Sequence, residues 1–332
     1  MCDCDYILPS RDGWEMHYDS CRPVWEQRNG KECPRNKDGT LRLCNKNLSQ
    51  LENDCIYHLG FDTQNFDLPA MFGDVKFVCM GGTKHRMRDF AKYIAKVLKI
   101  NECDFSNLTK QSHRYAMYKV GPVLSVSHGI GIPSMTILLQ EVLKLLHYGK
   151  AKNPVIFRIG TSGGLNVPPG SVVVSSWGMN GYLQKSYDIP ILGKIHRIPS
   201  FFDRRLSQEI LSVATDGSFG TYIGGTMAAD DFYRGQARLD GPFCAHSVAD
   251  KLEFLYTLAE RGVRNIEMEA TAFAALTSEA GVRSADVCVT LLDRLKGDQV
   301  TLDKETYANY QLRPMVVVGK YIAKYYEIKN KL

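Results

Sequence analysis

No stretch of this 332-residue chain approaches the roughly 20 consecutive apolar residues that a membrane-spanning helix needs. A membrane role is therefore not expected. The opening Met1-Cys2-Asp3-Cys4-Asp5 has neither the basic start nor the apolar core of a secretory signal. Position 2 is not glycine, and the terminal Lys329-Asn330-Lys331-Leu332 is not a prenylation box, so no lipid anchor is expected and the cytosol is the expected compartment. No Cys-x-x-Cys pair, no Gly-Lys-Ser/Thr phosphate loop and no Gly-x-Gly-x-x-Gly dinucleotide fingerprint occurs. The net charge of +5 is spread along the chain with no basic block, which favours a small anion over nucleic acid as ligand.

Hydrophobic residues make up 44% of the chain and charged residues 23%, the balance of a globular protein with a sizeable core. The ten cysteines are unevenly placed: Cys2, Cys4, Cys21, Cys33, Cys44 and Cys55 fall in the first 55 residues. A zinc site can be drawn from Cys2, Cys4, His17 and Cys21, but the usual ligand spacing is missing and no metal is expected. Without a secretory segment a disulfide scaffold is not expected either. Residues 1–54 are polar, without a sustained apolar period. They read as a cysteine-containing extension, largely disordered, ahead of one catalytic domain spanning 55–332.

Within that domain, short apolar runs alternate with amphipathic segments. Strands are expected at Val75–Met80, on both sides of a turn at Gly121-Pro122, at Val155–Ile159, at Ser171–Ser175 and at Asp286–Leu292. Helices are expected at Arg86–Leu98, Ser134–Tyr148, Arg204–Ala214, Ala270–Ala280 and from Pro314 to about Ile328, with a polar segment over Trp177–Leu192. Such alternation implies an α/β protein, a three-layer α/β/α arrangement around a central mixed β-sheet.

Three glycine-rich turns follow expected strands: Gly81-Gly82-Thr83-Lys84-His85-Arg86, His128-Gly129-Ile130-Gly131-Ile132-Pro133-Ser134, and Arg158-Ile159-Gly160-Thr161-Ser162-Gly163-Gly164. Glycine lets backbone N–H groups face an anion, and a following helix N-terminus adds a favourable dipole. Each turn alone is more often an ordinary strand-to-helix connection. Arg158 stands out, because an arginine in an apolar strand must find an anionic or hydrogen-bonding partner. In Asp231–Asp240, Gln236 donates and accepts while Arg238 only donates, a pair that matches the edge of a uracil ring, with Phe232 available to stack on it. In Asn265-Ile266-Glu267-Met268-Glu269, two carboxylates flank a methionine at a strand-to-helix junction. They could accept bonds from vicinal hydroxyls, or form a solvated pair before a helix.

These segments resemble the uridine phosphorylases of the nucleoside phosphorylase family, and animal-type members more than bacterial ones. The resemblance is carried by Phe72–Cys79, Arg114-Tyr115-Ala116-Met117-Tyr118-Lys119-Val120-Gly121-Pro122, the Arg158–Gly164 turn, Asp231–Asp240 and Ile266–Ala270. It runs from about Tyr57 to Ile322 and leaves the first 50 residues without a counterpart. It implies phosphate binding by Gly82, Arg86, Arg158 and Thr161, with Arg114 crossing to a neighbouring subunit's phosphate. His58 would likewise reach the neighbour's ribose 5′-hydroxyl, and Met268 and Glu269 would hold the ribose. Phe232, Gln236, Arg238, Ser162 and Gly163 would read uracil, with Leu291, Leu292 and Val300 as an apolar wall. The resemblance implies a homodimer that needs no cofactor and uses inorganic phosphate as co-substrate. Arg158, Glu269, Gln236 and Arg238 are the residues on which catalysis would rest. Asp293 keeps a purine-cleaving alternative open, since an acid there could protonate a purine leaving group.

Overall fold

The computed structural model describes residues 35–43, 45–214 and 218–329. The candidate zinc residues Cys2, Cys4, His17 and Cys21 lie outside them. Packing onto the domain begins before residue 55. Leu41 is buried in the core, Thr40 forms a bridge with Lys152, and Arg35 donates to the Gly281 carbonyl.

After a 3-10 turn at Lys46–Gln50 comes a small hairpin, β1 (Cys55–Ile56) against β2 (Phe61–Asp62), followed by the short helix α1 (Leu68–Phe72). The core then alternates: β3 (Phe77–Gly81), α2 (Lys84–Val97), β4 (Met117–Val120), β5 (Val123–Ser127), α3 (Ile132–Tyr148), β6 (Val155–Gly164) and β7 (Val172–Met179). A hairpin of β8 (Ser186–Ile191) and β9 (Lys194–Pro199) follows, then α4 (Arg204–Ala214), β10 (Thr221–Ala228), α5 (Val248–Glu260) and β11 (Val263–Glu267). The chain continues through α6 (Ala270–Glu279), β12 (Arg283–Asp293) and α7 (Lys304–Lys329).

Eight strands form one mixed sheet in the order β11-β10-β7-β12-β6-β3-β5-β4, and β11 also pairs antiparallel with the far end of β6. Period-two alternation decides which side chains meet which helices. On β6, Val155, Phe157 and Ile159 face the core shared with α2, α4 and α7, while Ile156 faces the core shared with α3 and α6. The three-layer α/β/α expectation holds.

The differences from the expected elements have physical reasons. β6 continues through its glycines to Gly164 because β12 stays paired with it in parallel and β11 caps its end. The segment read as polar holds the end of β7 and all of β8, and the turn from β8 into β9 places Leu192 at φ 50° and Gly193 at φ 76°. Both positive angles suit a two-residue hairpin, but leucine at the first of them carries no turn signal in sequence. α7 starts ten residues before Pro314 and runs through it. Asp303 caps its start by accepting from the Thr306 N–H at 2.9 Å, and an interior proline removes only one backbone bond.

Candidate active site

Arg158 sits at the centre. Alternation places it on the Ile156 face of β6, and parallel register sets Asp286 of β12 directly beside it. Its Nη1 donates to Asp286 Oδ1 at 2.8 Å and lies 2.8 Å from Glu267 Oε2, while Nη2 donates to Glu269 Oε2. Arg158 is 3% exposed. Glu267 ends β11, and the pairing of β11 with β6 brings it there. Its carboxylate also accepts the Glu269 and Ala270 N–H groups at 2.8 and 3.0 Å, fixing the first turn of α6. Glu269 accepts in addition from the Gly131 N–H at the start of α3. The two glutamates are thus buried partners of one arginine, and the solvated-pair alternative is excluded.

Three carboxylates around one guanidinium cannot share charge equally. Burial raises Glu267 well above the usual carboxylate range, and Asp286 and Glu269 add to this against the opposing pull of Arg158. Burial also acts to raise Glu269. There burial is the largest single influence, but the Arg158 charge, His128 and the Gly131 N–H together outweigh it, and the net shift is downward. Arg158 itself would be lowered by burial but is held well above its ordinary value by Glu267, Glu269 and Asp286.

Beside this cluster lies the loop after β3. A Cβ on Gly82 would sit 2.8 Å from Arg86 Nη2 and 3.3 Å from the Gly129 carbonyl, so the arginine lies directly over the glycine backbone. Arg86 Nε donates to Thr83 Oγ1 at 3.1 Å. Its pKa is lowered, chiefly by burial, with the nearby Arg158 charge adding to it. Thr161, half-buried, follows Arg158 on β6. Arg114 is exposed on a loop steadied by Lys84 Nζ, which donates to the His113 carbonyl at 2.8 Å. His128 is 1% exposed, and burial holds its imidazole down to about 4, with Glu269 raising it and Arg158 and Arg86 lowering it.

Gln236 and Arg238 are both buried, and a short 3-10 turn at Arg234–Gln236 leads into them. Arg238 forms a two-pronged pair with Asp240 at 2.9 and 2.7 Å and lies 4.4 Å from the Phe232 ring centroid. Gln236 is held by Arg294, which sequence reading did not single out. Arg294 Nη1 donates to Gln236 Oε1 at 3.2 Å, and Nη2 donates to the Gln236 main-chain oxygen at 2.7 Å. Arg294 is anchored in turn by Asp298, which Lys251 Nζ reaches at 2.8 Å. Its aliphatic stem fills the space over Gly163, where a Cβ would lie 2.6 Å from Arg294 Cγ. An arginine just beyond the apolar run that ends at Leu292 was the available signal, weaker than that of Arg158, which lies inside its strand.

A profile of the Phosphorylase superfamily matches residues 76–323. The chain belongs to this superfamily, among its uridine phosphorylases. It is 46% identical to the "Uridine and thymidine phosphorylase" of Caenorhabditis elegans over 87% of this chain and 97% of that protein. It is 44% identical to "Uridine phosphorylase 1" of Mus musculus, covering 86% and 93% respectively. The uridine phosphorylase of Schistosoma mansoni crystallised with uracil superposes with a TM-score of 0.81 at 40% identity, covering 84% of this chain and 98% of that one. The family also holds an "Inactive uridine phosphorylase B" of Schistosoma mansoni, 38% identical over 84% of this chain and 95% of that protein.

The remaining residues expected from the uridine phosphorylase resemblance fall as follows. Met268 is half-buried between the two glutamates. Ser162 Oγ donates to the Val289 carbonyl at 3.1 Å and accepts from Asn265 Nδ2 at 3.0 Å. Leu291 is buried and Leu292 lies near Gly163, whereas Val300 is exposed. His58 lies on the β1–β2 connection with its ring 40% exposed. Asp293 accepts from the Leu295 N–H at 3.1 Å and approaches Lys296 Nζ at 3.5 Å, so its carboxylate serves the turn after β12.

Proposed function

We propose that this chain splits uridine reversibly by phosphorolysis, giving uracil and ribose 1-phosphate, with inorganic phosphate as co-substrate. One observation carries the reading: Arg158, read as the anion receptor, lies against Glu269, read as the hydroxyl receptor, and the same strand carries Gly163, over which the stem of Arg294, the donor to Gln236, packs. A phosphate on the first and a ribose on the second bring a phosphate oxygen and C1′ into reach of each other.

Gly82, Arg86, Arg158 and Thr161 hold the phosphate, joined by Arg114 of the partner subunit. Glu269 exchanges Arg158 for the ribose hydroxyls, while Arg158 keeps Glu267 and Asp286. A phosphate oxygen bonds to C1′ as the C1′–N1 bond breaks, and the bonding pair leaves on uracil. Positive charge on the sugar is met by phosphate, and negative charge on the base by Gln236 and Arg238. The active unit is a cytosolic homodimer, with His58 of the partner subunit on the 5′-hydroxyl.

The test is release of uracil from uridine with and without phosphate, with inosine as control. Uracil released only with phosphate, and no hypoxanthine, is the expected result. Release without phosphate would make the chain a hydrolase, and silence would place it beside the inactive relative. The shared site has its own test. Arg114→Ala and Glu269→Ala are each expected to be inactive, and mixed dimers to regain activity through one intact site. No regain would remove the cross-subunit assignment.

A further inference from the structure

The carboxylate of Glu141, on α3, is buried beneath the β1–β2 connection. Its Oε1 lies 2.6 Å from His58 Nδ1, and its Oε2 accepts the His58 and Leu59 N–H groups at 2.9 Å each. The residue is 8% exposed, whereas the His58 ring is 40% exposed. Two further side chains on the same helical face, at spacings of three and seven residues, tie down the start of this segment. Lys144 Nζ and Tyr148 OH each donate to Asp54 at 2.6 Å. Tyr115 packs edge-on to the His58 ring at 6.4 Å and donates its hydroxyl to the Ser134 carbonyl of α3 at 2.7 Å. One helix thus carries the settings of both His58 and the loop that ends in Arg114.

We propose that Glu141 is a positioning residue for His58, holding its proton on Nδ1 so that Nε2 points outward as the acceptor for a nucleoside 5′-hydroxyl. A ring nitrogen this close to a carboxylate oxygen carries a proton there, and in the neutral ring the other nitrogen then offers a lone pair. The two backbone N–H bonds to the same carboxylate fix the ring's origin as well as its tautomer. A surface histidine without such support samples several rotamers and loses directionality at its far nitrogen. The inference rests on the uridine reading above, since it concerns how that substrate's 5′ end is recognised.

The experiment compares kcat/KM for uridine and 5′-deoxyuridine in the full-length protein, in Glu141→Gln, in His58→Ala and in the double variant. Glutamine preserves shape and one acceptor oxygen, but its amide nitrogen repels a protonated Nδ1. The wild-type preference for uridine over 5′-deoxyuridine is expected to fall about tenfold in Glu141→Gln. In the His58→Ala background the same change should move that ratio less than about twofold. A helix-packing role alone would depress both substrates together and leave the ratio in place. If Glu141→Gln does not fold, Glu141→Asp withdraws the carboxylate by one methylene and tests the same ratio. An unchanged ratio in a folded variant overturns the proposal while uridine cleavage stands. A wild-type ratio near one overturns it together with the role of His58. No uracil from either nucleoside overturns the uridine reading itself.

Discussion

Replacing Arg294 with methionine isolates how the base edge is held. The methionine keeps most of the stem that packs on Gly163 and removes the guanidinium that donates to Gln236 twice. Asp298 is not orphaned, because Lys251 Nζ and the Leu239 N–H remain at 2.8 and 3.0 Å. The fold should therefore survive. A hydrogen bond from a charged donor contributes about 1.5–3 kcal/mol, and in the proposed reaction only the bond that orients the Gln236 side chain acts on the departing uracil. About 2 kcal/mol lost in the transition state corresponds to a fall of about 30-fold in kcat/KM for uridine. Gln236→Leu, which leaves part of the uracil edge unpaired, should cost about 3 kcal/mol or more. Since Arg294 acts through Gln236, adding Arg294→Met to Gln236→Leu should cost less than about threefold further. Steady-state kinetics on the four proteins closes the cycle. Fully additive losses would refute the argument and give Arg294 a direct role of its own.

Gly163→Ala should push Arg294 out of place, because the new Cβ meets Cγ at 2.6 Å and Cδ at 2.8 Å; a kcat/KM loss of about tenfold is expected, and wild-type kinetics would refute the packing argument. His128 supplies a pH signature. Its folded-state value of about 4 lies below the ordinary 6.5, so the unfolded chain binds the extra proton first and stability drains away as pH falls from 6.5 through 4. The shift corresponds to about 3 kcal/mol, which denaturant titrations at pH 7 and pH 4 should register in the wild type and not in His128→Phe. Equal pH slopes for the two proteins would rule it out.

The alternating α/β pattern was legible because both faces of the sheet are covered, so strands such as Val155–Ile159 are apolar on both faces but for Arg158. The helix near Arg204–Ala214 was legible through its amphipathic period. β10 and α5 were not expected, since the Gly224-Gly225 pair and the polar start of α5 blur both periods. At the site, Arg158 announced itself by being charged within an apolar strand. Its three carboxylates come from distant segments, and only Glu267 and Glu269 drew notice, as a pair. Asp286 was read simply as the first residue of a strand; strand register, which no local pattern reports, makes it a partner of Arg158. Glu141 was invisible for the same reason: inside an apolar helix it looks like the polar stripe, and only the fold of residues 54–62 turns it inward.

The double pairing of β6 also bears on how the protein is made. Arg158 is translated long before its carboxylates, Asp286 following it by 128 residues and Glu269 by 111. Until β11 and β12 arrive, a nascent chain holds β3, β5 and β6 with a bare guanidinium on one face and an open edge beside it. Such an edge invites pairing with other chains, and the non-local closure that ends the exposure is a slow kind of step. On the ribosome the Arg158 cluster is therefore among the last parts to form, and chains stalled before β12 should be the species that chaperones hold.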